Sequence, residues 1–293
     1  MKQLLVLSGK GGTGKTTVAS AFIRLSEARA FADCDVDAPN LHLVMEQRAK
    51  AEKSDYYGLP KAELNPELCT QCSLCIEHCR FDALISGREF KIDPYACEGC
   101  GVCEAICPVK AISLKPAVAG ELILYRNGGK VFSTAQLKMG SGTTGMLVSE
   151  VKKQMKEAAG DTSFAIIDGS PGIGCPVIAS LSGVDLVLIV TEPSVSGISD
   201  MERIIQTAAN FHTSIAVCTN KHDTNLANSI RIEDYCRQND LFFAGQIPFD
   251  PLAVKAVNCG KTIVDLDCPS GRAVKGIYNK VMALLLADEG GAA

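Results

Sequence analysis

The chain has 293 residues, 47% of them hydrophobic and 21% charged, with a formal charge of −4. That length and apolar content suffice for one large α/β domain, or for such a domain with a small module attached. The acidic balance and the absence of tryptophan exclude a broad basic footprint with indole stacking platforms, so nucleic acid is not an expected partner.

At the N-terminus, Lys2 precedes an apolar run that stops at Ser8-Gly9-Lys10, too short for a secretory core segment. It reads as a buried strand over 3–7. A helix over 15–27 and a strand over 29–33 complete a βαβ start. The Asp-, Glu- and Lys-rich stretch 46–55 reads as a solvated linker or helix face. Further on, strands 121–125 and 130–133 flank Asn127-Gly128-Gly129, a hairpin-turn composition tolerant of positive φ. Helix 146–158, strands 163–167 and 184–190, helix 199–210, strand 214–218, helix 226–238, strand 242–246 and a terminal helix near 272–286 follow. The wholly apolar strands fit a parallel sheet covered on both faces. No stretch approaches the roughly 18 apolar residues of a membrane span, and the protein is expected to be cytoplasmic.

Fourteen cysteines are many for a chain without an export signal. Eight fall in two runs, Cys69, Cys72, Cys75, Cys79 and Cys97, Cys100, Cys103, Cys107, whose C-x2-C spacing suits metal or cluster ligation better than disulfides. The segments 68–79 and 96–107 superpose at an offset of 28 residues, which implies a duplicated half-module. With α/β alternation on both sides, residues 59–116 read as an insertion into a discontinuous domain made of 1–58 and 117–293.

Gly9-Lys10-Gly11-Gly12-Thr13-Gly14-Lys15-Thr16 matches G-x-x-x-x-G-K-[ST] between a strand and a helix. In that setting backbone N–H groups wrap phosphates, Lys15 neutralises the β and γ oxygens, Thr16 ligates Mg²⁺, and the helix presents its N-terminus. The segment from Lys10 to Thr16 resembles the deviant Walker A of the MinD/ParA/Mrp and nitrogenase iron-protein superfamily. The resemblance implies a mostly parallel P-loop NTPase sheet with helices on both faces, and ATP hydrolysis with Mg²⁺. Nucleotide contacts are then expected from Gly11, Gly12, Thr13, Gly14, Lys15, Thr16 and Thr17, with Lys10 reaching across an ATP-dependent dimer interface. Asp33-Cys34-Asp35-Val36-Asp37-Ala38-Pro39-Asn40 is similar to the family's switch I. By that likeness Asp35 orients the attacking water and Asp33 lies near hydrated Mg²⁺. Residues 166–176, with Asp168, resemble Walker B running into switch II. Asn220 and the Pro248 region resemble loops that contact the adenine.

The second cysteine run, followed by Pro108, reproduces the bacterial ferredoxin run, in which the fourth cysteine ligates the other cluster. This implies one [4Fe–4S] cluster on Cys69, Cys72, Cys75 and Cys107 and another on Cys97, Cys100, Cys103 and Cys79; two zinc sites are the competing reading. Arg80 stands where the second run has Pro108. Cys175, seven residues after Asp168, resembles a bridging cysteine of the nitrogenase iron protein, but the loop 138–145 supplies no companion, and a semi-buried packing cysteine is the plainer reading. Two functions stay open. In one, an ATP-dependent homodimer, or a heterodimer with a related ATPase, is coupled to electron transfer or metallocofactor maturation of a redox or metalloprotein partner. In the other, a MinD/ParA-like spatial organiser carries structural or redox-sensing clusters. Because the insertion leaves just after switch I, a shift there has a short covalent route to Leu59.

Overall fold

A computed structural model describes residues 1–45 and 49–287. Alternation of largely apolar strands with amphipathic helices builds most of a nine-stranded sheet, which a more polar antiparallel edge completes. Its strands are β1 (Lys2–Leu7), β2 (Ala30–Asp33), β3 (Glu52–Tyr57), β8 (Val118–Asn127), β9 (Lys130–Leu137), β10 (Phe164–Asp168), β11 (Leu186–Thr191), β12 (Ser214–Asn220) and β13 (Phe242–Ile247), with strands β4–β7 elsewhere. Their order is β13-β12-β11-β1-β10-β2-β9-β8-β3. Pairing is parallel from β13 to β9 and antiparallel at β8 and β3.

Leu5 and Leu7 face a layer that includes α4 (Thr144–Ala158), α5 (Cys175–Leu181), α6 (Val195–Ala209) and α7 (Leu226–Gln238), packing with Val151, Met155, Leu181, Ile204 and Ile232. Leu4 and Val6 face the opposite layer, where α1 (Lys15–Ser26) and α9 (Pro269–Leu286) contribute Phe22, Val274, Ile277 and Val281. The apolar stripe of α9 is thus buried in the domain. No helix among the described residues is long and apolar enough to cross a membrane.

The expectation of a solvated linker or helix face over 46–55 is corrected in part. Residues 52–57 form the edge strand β3, and residues 46–48 lie outside the described ones, as does the tail 288–293. Of β3 only Tyr56 is buried, so its sequence shows no alternation to read. The hairpin is longer than expected, and α5 and α8 (Pro251–Asn258) were not foreseen.

Between β3 and β8, residues 61–115 form β4 (Lys61–Leu64), α2 (Leu74–His78), β5 (Leu84–Ile85), β6 (Lys91–Ile92), α3 (Val102–Ile106) and β7 (Ile112–Lys115). β4 pairs with β7 and β5 with β6, each pair separate from the main sheet. Ala62, Ala83, Leu84, Cys97, Cys103 and Ile112 pack as a small core of their own. The 28-residue repeat is visible in the backbone: positive φ recurs at Gln71 and Gly99, at Ser73 and Gly101, and at Asp82 and Lys110.

One buried lysine joins two helices. Lys152 of α4 donates from Nζ to the carbonyls of Ala179 (3.3 Å), Ser180 (2.5 Å) and Ser182 (2.6 Å), oxygens that the end of α5 leaves without intrahelical donors. Lys152→Met is expected to lower the stability of the nucleotide-free chain by about 2–4 kcal/mol, because it leaves several buried carbonyls unpaired. Urea denaturation checks this, and an unchanged midpoint would contradict it.

Candidate functional site

The phosphate loop joins β1 to α1 at the carboxyl ends of the parallel strands, flanked by β10 and β11. Gly14 caps α1 at φ 92° with no side-chain cap, so first-turn N–H groups of the helix remain open to an anion. A Cβ at Gly14 would stand 2.3 Å from Asn220 Nδ2, which itself donates to Thr13 O at 2.6 Å, so this position must be glycine. Thr13 Oγ1 is buried without a hydrogen-bond partner. An open hollow of about 950 Å³ is lined by Lys10, Gly11, Gly12, Gly14, Lys15, Thr16, Thr17, Asp35, Asn40 and Pro171 among others. A second, of about 840 Å³, shares Gly12, Gly14 and Thr17 and runs on to Asn220, Pro248 and Phe249. Every sequence-derived nucleotide residue except buried Thr13 therefore lines one of two adjoining hollows.

Parallel pairing of β10 with β2 sets Asp168 beside Asp33. Asp168 accepts from Lys15 Nζ at 2.7 Å and from Thr16 Oγ1 at 2.6 Å. Burial opposes the charged form of Lys15, but the charge and hydrogen bond of Asp168 outweigh it and hold its pKa above the ordinary lysine value. Asp33 accepts from the N–H groups of Asp35, Asn40 and Leu41, each at 3.0 Å, and so shapes the turn after β2. Its burial, reinforced by the charge of Asp168, pushes its carboxyl up to about 7. Asp35 is half-buried in the wall of the phosphate hollow, and burial raises its pKa against the pull of Lys15.

Two partners were invisible in the sequence. Glu192, just after β11, pairs with Lys10 at 3.4 Å and with Lys221, whose Nζ also reaches Gly12 O at 3.1 Å. Lys10 further donates to Ser194 at 3.3 Å. Ser170 Oγ donates to the carbonyl of Cys34, whose N–H donates to Asp168 O at 2.8 Å, so the segments after β2 and β10 are tied together. A carboxylate ending an apolar strand was the only available signal for Glu192.

The cysteines fall around two smaller hollows. One, of about 320 Å³, is lined by Cys69, Cys72, Cys75 and Cys107 with Leu64, Phe90 and Ile112. The other, of about 360 Å³, is lined by Cys97, Cys100, Cys103 and Cys79 with Phe81, Leu84 and Leu114. Each holds three cysteines of one run and the last of the other, because α2 and α3 pack together and end in Cys79 and Cys107. N–H groups of Ala62 and Ala111 point at the sulfurs of Cys97 (3.4 Å) and Cys107 (3.2 Å). Among the described residues no three His, Cys, Asp or Glu side chains converge tightly enough for a single metal ion. Of the other cysteines, burial pushes the thiols of Cys34 and Cys218 up to about 12 and that of Cys236 to about 11, which makes them inert packing groups. Cys268 is buried, whereas Cys175 and Cys259 are exposed.

The model of the CobQ/CobB/MinD/ParA nucleotide-binding domain matches residues 4–263. The chain belongs to this family. Within the CobQ/CobB/MinD/ParA family it is an ATPase. An uncharacterized protein of Methanocaldococcus jannaschii is 31% identical over 283 residues, covering 95% of this chain and 96% of that one. The iron-sulfur cluster carrier protein of Pyrococcus abyssi is 25% identical over 98% of this chain and 88% of its own length. Over 48 residues, 16% of this chain and 62% of the other, a 7Fe ferredoxin of Hydrogenibacillus schlegelii is 44% identical. Among solved structures, the septum site-determining protein MinD complexed with Mg-ADP from Pyrococcus horikoshii superposes with a TM-score of 0.59 at 18% identity, covering 97% of this chain and 96% of that one. That likeness bears on the fold alone.

Proposed function

We propose that this ATPase works as an ATP-dependent dimer, and that residues 59–116 are an inserted ferredoxin-like module holding two [4Fe–4S] clusters through which the dimer is coupled to electron transfer or to metallocofactor maturation of a partner protein. The observation that carries the reading is the crossed ring of cysteines around each hollow, the ligand pattern of a two-cluster ferredoxin. The donor set fits such clusters: four thiols each, backbone N–H groups aimed at sulfur, and an apolar lining. Cys69, Cys72, Cys75 and Cys107 would hold one cluster and Cys97, Cys100, Cys103 and Cys79 the other. Bound there, the clusters would supply one-electron transfer. Likeness to a cluster carrier and, locally, to a ferredoxin supports the same reading.

At the nucleotide site the buried carboxylates Asp33 and Asp168 and the hydroxyl of Thr16 fit Mg²⁺, held partly through water, which would neutralise charge on the phosphates. Lys15 must exchange Asp168 for the β and γ oxygens as nucleotide enters. Asp35, in the wall of the same hollow, orients water for attack on the γ-phosphorus, yielding ADP and phosphate. Asn220 and Pro248 border the base. The organiser alternative has no comparable observation behind it, since the apolar face of α9 packs on the domain.

Anaerobic reconstitution tests the proposal. About eight irons per chain and cluster spectra are expected, together with Mg²⁺-dependent ATP hydrolysis; a chain that takes up only tetrahedral zinc would overturn the cluster reading. Lys10 provides a separate check. Held in its own chain by Glu192 and Ser194, it must turn outward to act in a dimer, so Lys10→Ala is expected to weaken association with a non-hydrolysed ATP analogue by at least about tenfold. Sedimentation measures this, and equal association of both proteins would contradict the role.

A further inference from the structure

The expected covalent route from switch I to Leu59 runs through β3, which is paired with β8 along its whole length. A second route is shorter and is made of contacts. The loop 138–145 begins where β9 ends, and Leu137 N donates to the carbonyl of Val36, inside the segment after β2, at 2.9 Å. It ends at Gly145, where an added Cβ would stand 3.2 Å from the carbonyl oxygen of Cys175, at the head of α5 and directly after the segment following β10. Between these anchors the loop meets the second cysteine turn. A Cβ at Gly140 would lie 3.6 Å from the ring of Tyr95, and one at Gly142 would lie 3.4 Å from a Glu98 carboxylate oxygen. Tyr95 and Glu98 bracket Cys97, and the same turn is pinned at Gly99, where any side chain would strike Pro60 O.

Thr143 leaves a bond of this loop unmade. It occupies the N-cap of α4, yet its side chain makes no capping bond, and its hydroxyl is buried against Gly58 without a partner. A threonine here ordinarily accepts from an N–H of the first turn, and a buried hydroxyl left unpaired is an unfavourable state that a modest shift relieves. The loop is thus hydrogen-bonded to the segment after β2, packed against the head of α5, placed beside the Cys97–Cys103 turn, and carries a cap that is not engaged.

We infer that the nucleotide state of the site is transmitted to the Cys97–Cys103 turn through the loop 138–145, so that this cysteine set, and not the Cys69–Cys75 set, is the one governed by ATP. The inference rests on the proposed nucleotide site and its switches. By linkage, whatever occupies the Cys97–Cys103 turn then alters nucleotide affinity by the same factor.

Hydrogen exchange followed by mass spectrometry on the full chain, purified anaerobically, tests this with no nucleotide, with ADP and with a non-hydrolysed ATP analogue. The analogue is expected to change exchange rates by about tenfold in peptides spanning 136–145 and 94–101 together, and to leave 69–79 unchanged. In Thr143→Val, which keeps shape but removes the hydroxyl available for capping, and in the double variant Tyr95→Ala/Glu98→Ala, which spares every cysteine, the response of 94–101 should fall below about twofold while the phosphate loop stays protected. Protection of the phosphate loop with no change at 94–101, an equal response at 69–79, or a full response in both variants would overturn the inference. Absence of protection in the phosphate loop itself would overturn the nucleotide site along with it.

Discussion

Replacing Asp35 with alanine is expected to lower the rate of ATP hydrolysis by about 10²–10⁴-fold while nucleotide affinity stays within a few-fold of the parent. The contrast follows from placement. On the proposed reading Lys15, Thr16 and the open N-terminus of α1 form the phosphate cradle, and none of the side-chain hydrogen bonds of Lys15 and Thr16 goes to Asp35. Asp35 instead stands in the wall of the hollow, its N–H fixed by Asp33 Oδ1 at 3.0 Å and its carbonyl by Ala38 N at 3.2 Å. Its main-chain hydrogen bonds survive truncation, so the loss should fall on kcat. Asp35→Asn should recover part of the loss by still hydrogen-bonding water. Steady-state hydrolysis and equilibrium binding of a non-hydrolysed analogue separate the two effects, and undiminished kcat in Asp35→Ala would remove this residue from the chemistry.

Cys79→Ser is expected to abolish the cluster associated with Cys97, Cys100 and Cys103, although Cys79 belongs in sequence to the other run. Iron should fall by about half, with the spectrum of the other cluster retained. Cys107→Ser should do the reverse. The reasoning is geometric: α2 ends at Cys79 and α3 at Cys107, and the contact between these helices carries each terminal cysteine to the opposite hollow. Serine preserves size at both positions, so the small core of Ala62, Ala83, Leu84 and Ile112 is undisturbed. Iron analysis with electron paramagnetic resonance on the two variants decides the matter. Loss of the cluster on Cys69, Cys72 and Cys75 in Cys79→Ser would mean that each run serves itself.

Much of this architecture was legible because it is carried by short-range signals. The strands 2–7, 186–191 and 214–220 are built on the continuous apolar runs 4–7, 186–190 and 215–218, and the phosphate loop is a contiguous motif whose flanking strand and helix are unambiguous. The cysteine repeat announced itself through spacing, and the recurrence of positive φ at Gln71 and Gly99 is its backbone counterpart. Edge strand β3 was missed because it exposes Glu52, Lys53, Ser54 and Asp55 and buries only Tyr56. Helices α5 and α8 are too short for a 3.6-residue period to emerge, and each has a proline within its first two residues that reads as a loop signal. The Lys10–Glu192–Lys221 cluster and the bond from Ser170 to Cys34 join residues far apart in the chain, and no local pattern specifies which strand end meets which loop.

The register of β3 against β8 also fixes where residues 58–117 leave the sheet. Tyr57 and Val118 are direct neighbours across that antiparallel ladder, so the two points where the chain departs for residues 58–117 and returns from them lie one strand spacing apart. Joined by a tight turn, they would be an ordinary β-hairpin at the sheet edge. The segment that takes the place of that turn begins and ends in β4 and β7, which are themselves paired side by side. The departure and return therefore interrupt neither sheet, and β8 keeps a hydrogen-bonded neighbour on each side. Hairpin tips of this kind are among the few places where a folded domain admits a foreign one without renegotiating its core.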